Sequence, residues 1–173
     1  MITLFVEENN TLTQTFYNNL IAGLQFHQLS CTCGHSGCLH IHGYYERFLK
    51  TPAGKLKFRI CRVRCGCCGK THAVLPSSIV PYSQISIRDQ ADIICASETD
   101  SSPESVMQSN PSIDESNCRH IIRQYRRFWK QKLLSRQLSM IPLSGLVSAC
   151  FHFFSYQFMQ IKNTPNILFL NTT

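Results

Sequence analysis

Two stretches of strand-forming residues, separated by a turn signal, predict a β-hairpin in the N-terminal half of the chain. Residues 39–49 and 55–64 alternate apolar with polar side chains, as strands with one covered face do. Between them stands Thr51-Pro52-Ala53-Gly54, in which proline fixes φ and glycine supplies a permissive backbone. The second strand therefore returns alongside the first and brings the residues before 39 close to those after 64.

The rest of the chain shows mainly helical periodicity. Residues 2–6 predict a short strand and residues 11–26 a helix, because apolar residues recur there at every fourth position. Two prolines, Pro76 and Pro81, predict an extended connector over residues 70–83 that leaves the hairpin. Helices are then predicted from Ser86, over residues 103–108, from 112 to about 135, and over residues 146–162, with a terminal strand over 167–170.

The third of these later helices is predicted to begin with a capping box. Ser112 is followed three residues later by Glu115, so that each side chain can accept a hydrogen bond from the other's backbone N–H. Together the elements predict an α+β protein, in which a small β-hairpin domain precedes a mostly helical, helix-turn-helix-like domain. We divide the chain into a packing segment at 1–30, a ribbon at 31–83, a helical domain at 84–136, and a terminal helix and tail at 137–173.

Cysteines gathered at both ends of the hairpin predict a zinc site, which makes the hairpin domain a zinc ribbon. Structural zinc usually takes four cysteine or histidine ligands from two short pairs. Cys65 and Cys68 form the second pair, with Gly69 directly after them. In the first pair Cys33 is accompanied by Cys38, with Cys31 as the close alternative and His35 as a weaker one. Burial as small apolar residues or pairing in disulfides is the competing interpretation; Cys95, Cys118 and Cys150 are expected to be core residues of that kind.

Basic residues are concentrated in two parts of the chain. The formal net charge is +7, and residues 46–70 and 119–136 hold most of the excess. The helix predicted from residue 112 has an apolar stripe opposite a basic one. Two basic blocks favour contact with a polyanion over a merely solvated surface. The candidate nucleic-acid-binding residues are Arg62, Arg64, Arg119, Arg123, Arg126, Arg127 and Lys130.

Composition narrows the class of protein further. Hydrophobic residues make up 43% of the 173, enough for a modest core. The apolar start meets Glu7 and Glu8 without a basic region or a small-residue cleavage site, which argues against a signal peptide. The longest apolar stretch, over residues 146–161, is too polar to span a bilayer. We therefore expect a soluble cytoplasmic protein without membrane contact, where reduced cysteines favour metal binding.

The stretch from Cys31 to Ser83 resembles the zinc-ribbon segment of transposon-associated proteins, in particular an uncharacterised family of small mobile-element proteins. The motifs that carry the resemblance are His42-Gly-Tyr-Tyr45, Arg62-Val-Arg-Cys65, Cys68-Gly69, Thr71-His72-Ala73, Leu75-Pro76-Ser77 and Pro81-Tyr82-Ser83. More distantly, the order of elements is similar to the front end of insertion-sequence transposases. That resemblance implies zinc ligands at Cys33, Cys65 and Cys68, DNA binding and a bacterial origin. The family's first ligand falls on Ser30 or Cys31, so the chain departs from the pattern there.

We predict from this a zinc-binding, DNA-binding protein of a mobile element, acting as a transposase-like accessory or regulator and not itself an enzyme. A second copy or a transposase is the candidate protein partner. An RNA-binding or protein-adapter ribbon is the alternative, because basic charge does not separate DNA from RNA. A nuclease or transposase is disfavoured because the acids cluster at 89–115 and none follows. A thiol oxidoreductase is disfavoured because the Cys65-x-x-Cys68 pair does not open a predicted helix.

Overall fold

Four strands from the N-terminal half of the chain and one from near its C-terminal end form a mixed five-stranded sheet. The computed structural model describes residues 1–7, 12–99, 101–161 and, for the backbone alone, 168–171. The strands are β1 (Ile2–Phe5), β2 (Leu39–Thr51), β3 (Gly54–Cys65), β4 (Thr71–Pro76) and β5 (Leu168–Asn171). Their order in the sheet is β2-β3-β4-β1-β5. β1 runs parallel to β4 and β5, whereas β3 and β4 are antiparallel. With the helices given below, these strands confirm the α+β class.

The hairpin prediction is confirmed. β2 and β3 are neighbours joined by Pro52 and Ala53. The Thr51 hydroxyl donates to the Gly54 carbonyl at 2.8 Å, and Gly54 has a φ of +108°, a conformation that glycine adopts without strain. The turn thus places the start of β2 next to the end of β3, which is where the cysteines lie.

The predicted connector over residues 70–83 is wrong in its first half, because that part is the central strand β4. β4 pairs with β3 on one side and with β1 on the other. Its residues His72, Val74 and Leu75 are buried. Pro76 is the last residue of the strand, where a missing N–H interrupts little of the ladder. The prolines therefore mark the end of a strand and not its absence.

Tyr17 joins the sheet where β3 and β4 separate. It lies on α1 (Gln14–Gly23), a shorter helix than the one predicted over residues 11–26, and its side chain is fully buried. The Tyr17 hydroxyl accepts the Cys61 N–H at 2.8 Å and donates to the Val74 carbonyl at 2.9 Å. One side chain thus satisfies two backbone groups that the diverging strands leave unpaired.

The remaining helices follow the sheet in sequence. They are α2 (Ile87–Glu98), α3 (Glu104–Ser109), α4 (Glu115–Phe128), α5 (Lys130–Ser135) and α6 (Leu143–Phe154). The predicted start of α2 is confirmed, since the Ser86 hydroxyl accepts the Asp89 N–H at 3.0 Å. The last helix ends at Phe154, because the next residue, Ser155, has a left-handed φ of +60°. Its predicted continuation is therefore wrong as far as residue 161, and residue 162 lies outside the described residues. The terminal strand prediction is confirmed within the described residues 168–171; residue 167 lies outside them.

The long helix begins and ends differently from the prediction. Its capping box is formed by Asp114 and Asn117, whereas the predicted Ser112 hydroxyl donates to the Thr51 carbonyl at 2.9 Å. Both serine and aspartate stand three residues before a suitable partner, so spacing alone did not decide between them. The helix also breaks at Trp129, which separates α4 from α5.

The chain divides into two compact units. The first comprises Met1–Arg47, Lys57–Ser77 and β5, and the second comprises Phe48–Leu56 and the chain from Ser78 onward through α6. One boundary between the two units falls after Ser77, and the tip of the hairpin, Phe48–Leu56, belongs to the second unit. In the second unit Trp129 is fully buried, donates its indole N–H to the Gln160 carbonyl at 3.3 Å, and meets three aromatic rings edge-on.

Candidate metal centre and basic surface

Two loops at the open end of the hairpin carry the clustered cysteines. In the first loop the Cys31 N–H donates to the His35 carbonyl at 2.7 Å and the Gly34 N–H to the Cys31 carbonyl at 2.9 Å. In the second, the Gly69 N–H donates to the Cys65 carbonyl at 2.9 Å, and Gly69 has a φ of +70°. A third bond, from the Gly66 N–H to the Cys38 carbonyl at 2.8 Å, ties the two loops together. These backbone hydrogen bonds therefore position the cysteines of both loops without the help of a bound ion.

Four of these thiols form a compact group. The Sγ atoms of Cys31, Cys33, Cys65 and Cys68 all lie within 4.8 Å of one another, and we call these residues the four-thiol group. The Cys31–Cys68 and Cys33–Cys65 Sγ distances are both 3.8 Å. Four thiolates each ~2.3 Å from a central ion at tetrahedral positions would be separated by about 3.8 Å. The four-thiol group can therefore hold a metal ion.

The end of β3 favours one thiolate within that group. The Cys68 N–H points at the Cys65 sulfur at 3.4 Å. This hydrogen bond is the main reason why the pKa of the Cys65 thiol is lowered to about 5. A thiolate is the form that binds metal. Cys65 is thus the member of the group that is ready to act as a ligand at neutral pH.

Cys38, the preferred partner of Cys33 in the sequence prediction, lies in an adjoining set of thiols. Cys38, Cys65 and Cys67 are also mutually within 4.8 Å, and the Cys38 and Cys65 sulfurs are 3.2 Å apart. The hydrogen bond to Cys65 is the main cause that raises the pKa of the Cys38 thiol to about 12. Cys65 is common to both sets, and the set with four members contains Cys31 in place of Cys38.

Two histidines border the cluster. His35, the weaker candidate from the sequence, has Nδ1 3.5 Å from the Cys33 sulfur and is exposed. His72, which the sequence analysis did not consider as a site residue, is buried with Nε2 3.7 Å from the Cys31 sulfur. His72 was missed because residues 70–83 were predicted to be a connector. A strand predicted over residues 71–76 and paired with β3 would have placed His72 next to the cysteines.

The basic candidates of the second unit lie mainly on α4. Arg119, Arg123, Arg126 and Arg127 are exposed, and we call them the arginine face. Cys118, Ile121 and Tyr125, on the opposite side of the same helix, are buried. Among the described residues, Arg119 pairs with Glu115 at 3.8 Å, whereas no acidic side chain pairs with the other three arginines. The predicted two-faced helix is therefore present.

The other basic candidates have different surroundings. Lys130 lies on α5 and pairs with Glu98 at 2.9 Å, so its charge already has a partner. Arg62 and Arg64 lie on β3 in the first unit and are exposed, alternating with the buried Val63. Each of these basic positions is thus at least partly accessible, but only the arginine face forms a contiguous set on one helix.

The site and fold define an α+β protein with a cysteine cluster suited to a metal ion. Residues 30–121 match the model of a family described as a domain of unknown function (DUF6431), and the chain belongs to that family. The matched range includes the four-thiol group, the hairpin and the first half of α4. No curated protein and no solved structure matches the chain. Within the described residues, no helix has the length and apolar character needed to cross a membrane.

Proposed function

We propose that the chain is a zinc-stabilised DNA-binding protein, with Zn²⁺ in the four-thiol group and the arginine face on DNA phosphates. The arginine face carries the DNA part of this proposal, because three of its members have no acidic partner among the described residues. Guanidinium groups are suited to bidentate contact with phosphates and guanine edges. α4 is held from its other side by buried residues, so its arginines can be presented on a rigid helix.

Zinc is the ion that fits the four-thiol group best. A tetrahedral set of four sulfur ligands is typical of zinc or of iron–sulfur sites, and a single Zn²⁺ requires only the four ligands present. In this proposal Cys31 is the fourth ligand and Cys38 stays outside the first coordination sphere. The ion would link the loop before β2 to the loop after β3, so that the hairpin becomes a zinc ribbon.

The helices supply the DNA-reading part of the proposal. α3 is short and is followed after five residues by α4, which has 14 residues and would be about 21 Å long. We assign α4 as the recognition helix of a helix-turn-helix arrangement with α2 and α3 as its support. Arg62 and Arg64 on β3 provide a second contact with the nucleic acid backbone.

The biological setting in this proposal is a mobile element. The motifs between Cys31 and Ser83 that resemble transposon-associated ribbons support it. The protein acts as an accessory or regulator and leaves strand cleavage to a transposase. A homodimer or a complex with that transposase is the assembly in which it works.

Salt-dependent binding tests the DNA part directly. Affinities of the zinc-loaded protein for a DNA duplex and for an RNA duplex of the same sequence are measured by fluorescence anisotropy over a series of salt concentrations. With six phosphate contacts, from the arginine face together with Arg62 and Arg64, log affinity should fall with log salt at a slope of about −5. Arg123→Gln and Arg126→Gln should each make the slope less steep by about 1.

Lys130→Gln is the matched control, because it removes one positive charge that is already paired with Glu98. We expect a smaller change in slope for this variant than for either arginine variant. Equal slopes for the wild type and the two arginine variants would contradict the assignment of the arginine face. Tighter binding of RNA than of DNA would favour the RNA-binding alternative.

A further inference from the structure

A buried histidine stands directly behind one thiol of the four-thiol group. His72 on β4 is 4% exposed and Cys31 is 3% exposed. The Nε2 atom of His72 lies 3.7 Å from the Cys31 sulfur, within the range of an N–H···S hydrogen bond. Both side chains are shielded from water, so neither polar atom can take its hydrogen bond from solvent.

The second ring nitrogen of His72 fixes which atom carries the proton. Nδ1 lies 3.0 Å from the terminal ammonium nitrogen of Met1, which carries hydrogens but no lone pair and so can only donate. Nδ1 therefore accepts, and a neutral imidazole then has its hydrogen on Nε2. That hydrogen faces the Cys31 sulfur, so His72 is a donor toward this thiol.

His72 is placed as a neighbour of the site and not as one of its ligands. The four sulfurs of the four-thiol group are mutually within 4.8 Å, and no nitrogen of His72 belongs to that set. A donor outside the coordination sphere stabilises the negative charge of a bound thiolate and fixes its orientation.

The competing thiol, Cys38, has the opposite kind of partner. Its Sγ–H donates to the His35 carbonyl at 3.3 Å. A carbonyl stabilises the protonated thiol, whereas an N–H donor stabilises the thiolate. An N–H donor therefore faces the Cys31 sulfur and a carbonyl acceptor faces the Cys38 sulfur, although both thiols are near Cys65.

We propose that His72 is a positioning residue of the metal centre, which donates its Nε2–H to the Cys31 thiolate and thereby selects Cys31 over Cys38 as the fourth ligand. This inference rests on the proposed zinc site but not on DNA binding. Removal of such partners typically weakens metal binding by about 10- to 100-fold.

Two substitutions separate the hydrogen bond from packing. His72→Leu keeps much of the side-chain volume but has no donor, whereas His72→Gln retains an N–H donor at a similar reach. Zn²⁺ affinity is measured by competition with a chromogenic chelator, and folding is checked by circular dichroism. We expect His72→Leu to weaken Zn²⁺ binding about 10- to 100-fold and His72→Gln to stay within about threefold of the wild type.

A spectroscopic readout reports on the thiolate itself. In the Co²⁺-substituted protein, loss of the donor should shift the sulfur-to-cobalt charge-transfer band to longer wavelength, because a thiolate without a hydrogen bond gives up an electron more easily. His72→Leu should show this shift and His72→Gln should not. Packing changes alone would leave the band in place.

A double-variant comparison tests whether His72 acts through Cys31. In a Cys31→Ser background, His72→Leu should cause no further loss of affinity. Wild-type affinity and an unshifted band in His72→Leu would overturn the proposal. So would a His72→Gln variant as weak as His72→Leu, or a Cys31→Ser variant that binds like the wild type. A wild-type protein that binds neither Zn²⁺ nor Co²⁺ would overturn it together with the zinc site, whereas failure of DNA binding alone would leave it standing.

Discussion

Two adjacent cysteines in the loop after β3 provide a matched pair of substitutions for the metal centre. Cys67 and Cys68 are both exposed. Cys68 belongs to the four-thiol group and its sulfur is 3.8 Å from that of Cys31, whereas Cys67 belongs only to the adjoining set with Cys38 and Cys65. Cys68→Ser should therefore remove a zinc ligand, and Cys67→Ser should remove a neighbouring thiol with little effect on zinc.

The size of the expected effect follows from the number of ligands. Structural zinc sites bind with roughly 10–16 kcal/mol in total. If each of the four ligands in the four-thiol group contributes about a quarter, losing one weakens Zn²⁺ binding roughly 100- to 1,000-fold.

Competition with a chelating indicator at fixed pH measures both variants under the same conditions. Cys67→Ser should remain within about threefold of the wild type, since serine replaces an exposed side chain without a ligand role. An equal loss in the two variants would refute the ligand assignment. A larger loss in Cys67→Ser would place the ion in the adjoining thiol set.

Three further outcomes are expected. Tyr17→Phe should lower the free energy of unfolding by about 2–4 kcal/mol in urea denaturation, because two buried backbone groups lose their hydrogen-bond partner. Asp114→Ala should lower it by about 1 kcal/mol through loss of the capping box, whereas the exposed Glu115→Ala should change it less; equal effects would contradict the cap assignment. Zn²⁺ affinity should rise with pH above neutrality, because Cys68 must lose a proton to bind. A backbone hydrogen bond at Lys70 lowers the pKa of the Cys68 thiol, but partial desolvation and a side-chain hydrogen bond with Cys65 outweigh it and raise that pKa to about 11. Cys65, with a pKa of about 5, should release no proton when it binds Zn²⁺ at neutral pH. Calorimetry in buffers of different ionisation enthalpy measures the number of protons released on binding.

Local signals were sufficient for the hairpin and for the start of α2. Pro52 and Gly54 bracket the turn, and Ser86 supplies a side-chain cap for the helix that follows it. Such features depend on residues within a few positions of one another. They could therefore be predicted without knowledge of what packs against them.

The sheet beyond the hairpin depends on contacts between distant segments. β4 pairs with β1, which is some 70 residues earlier in the chain, and its short sequence contains a proline. Nothing local distinguishes such a strand from an extended connector. The same limitation hid His72, whose proximity to Cys31 arises only when β4 is inserted next to β3.

The choice within the first cysteine pair could not be made from spacing for a related reason. Cys31 and Cys38 flank Cys33 at different distances, and both reach the second loop. The turn that bonds Cys31 to the His35 carbonyl decides their positions, and its geometry depends on Gly34 and Gly37, both of which have positive φ. The cysteine cluster could be predicted from the sequence, whereas the division of its thiols into two sets depends on the folded loops.

Metal content measured together with folding tests the central claim most directly. Purified protein is analysed for zinc per chain, and its circular dichroism is recorded before and after removal of metal by a chelator. The account predicts one zinc per chain and a loss of ordered structure on chelation that added Zn²⁺ reverses. Metal-free protein with an unchanged spectrum, in which the cysteines titrate as free thiols or are found in disulfides, would contradict it.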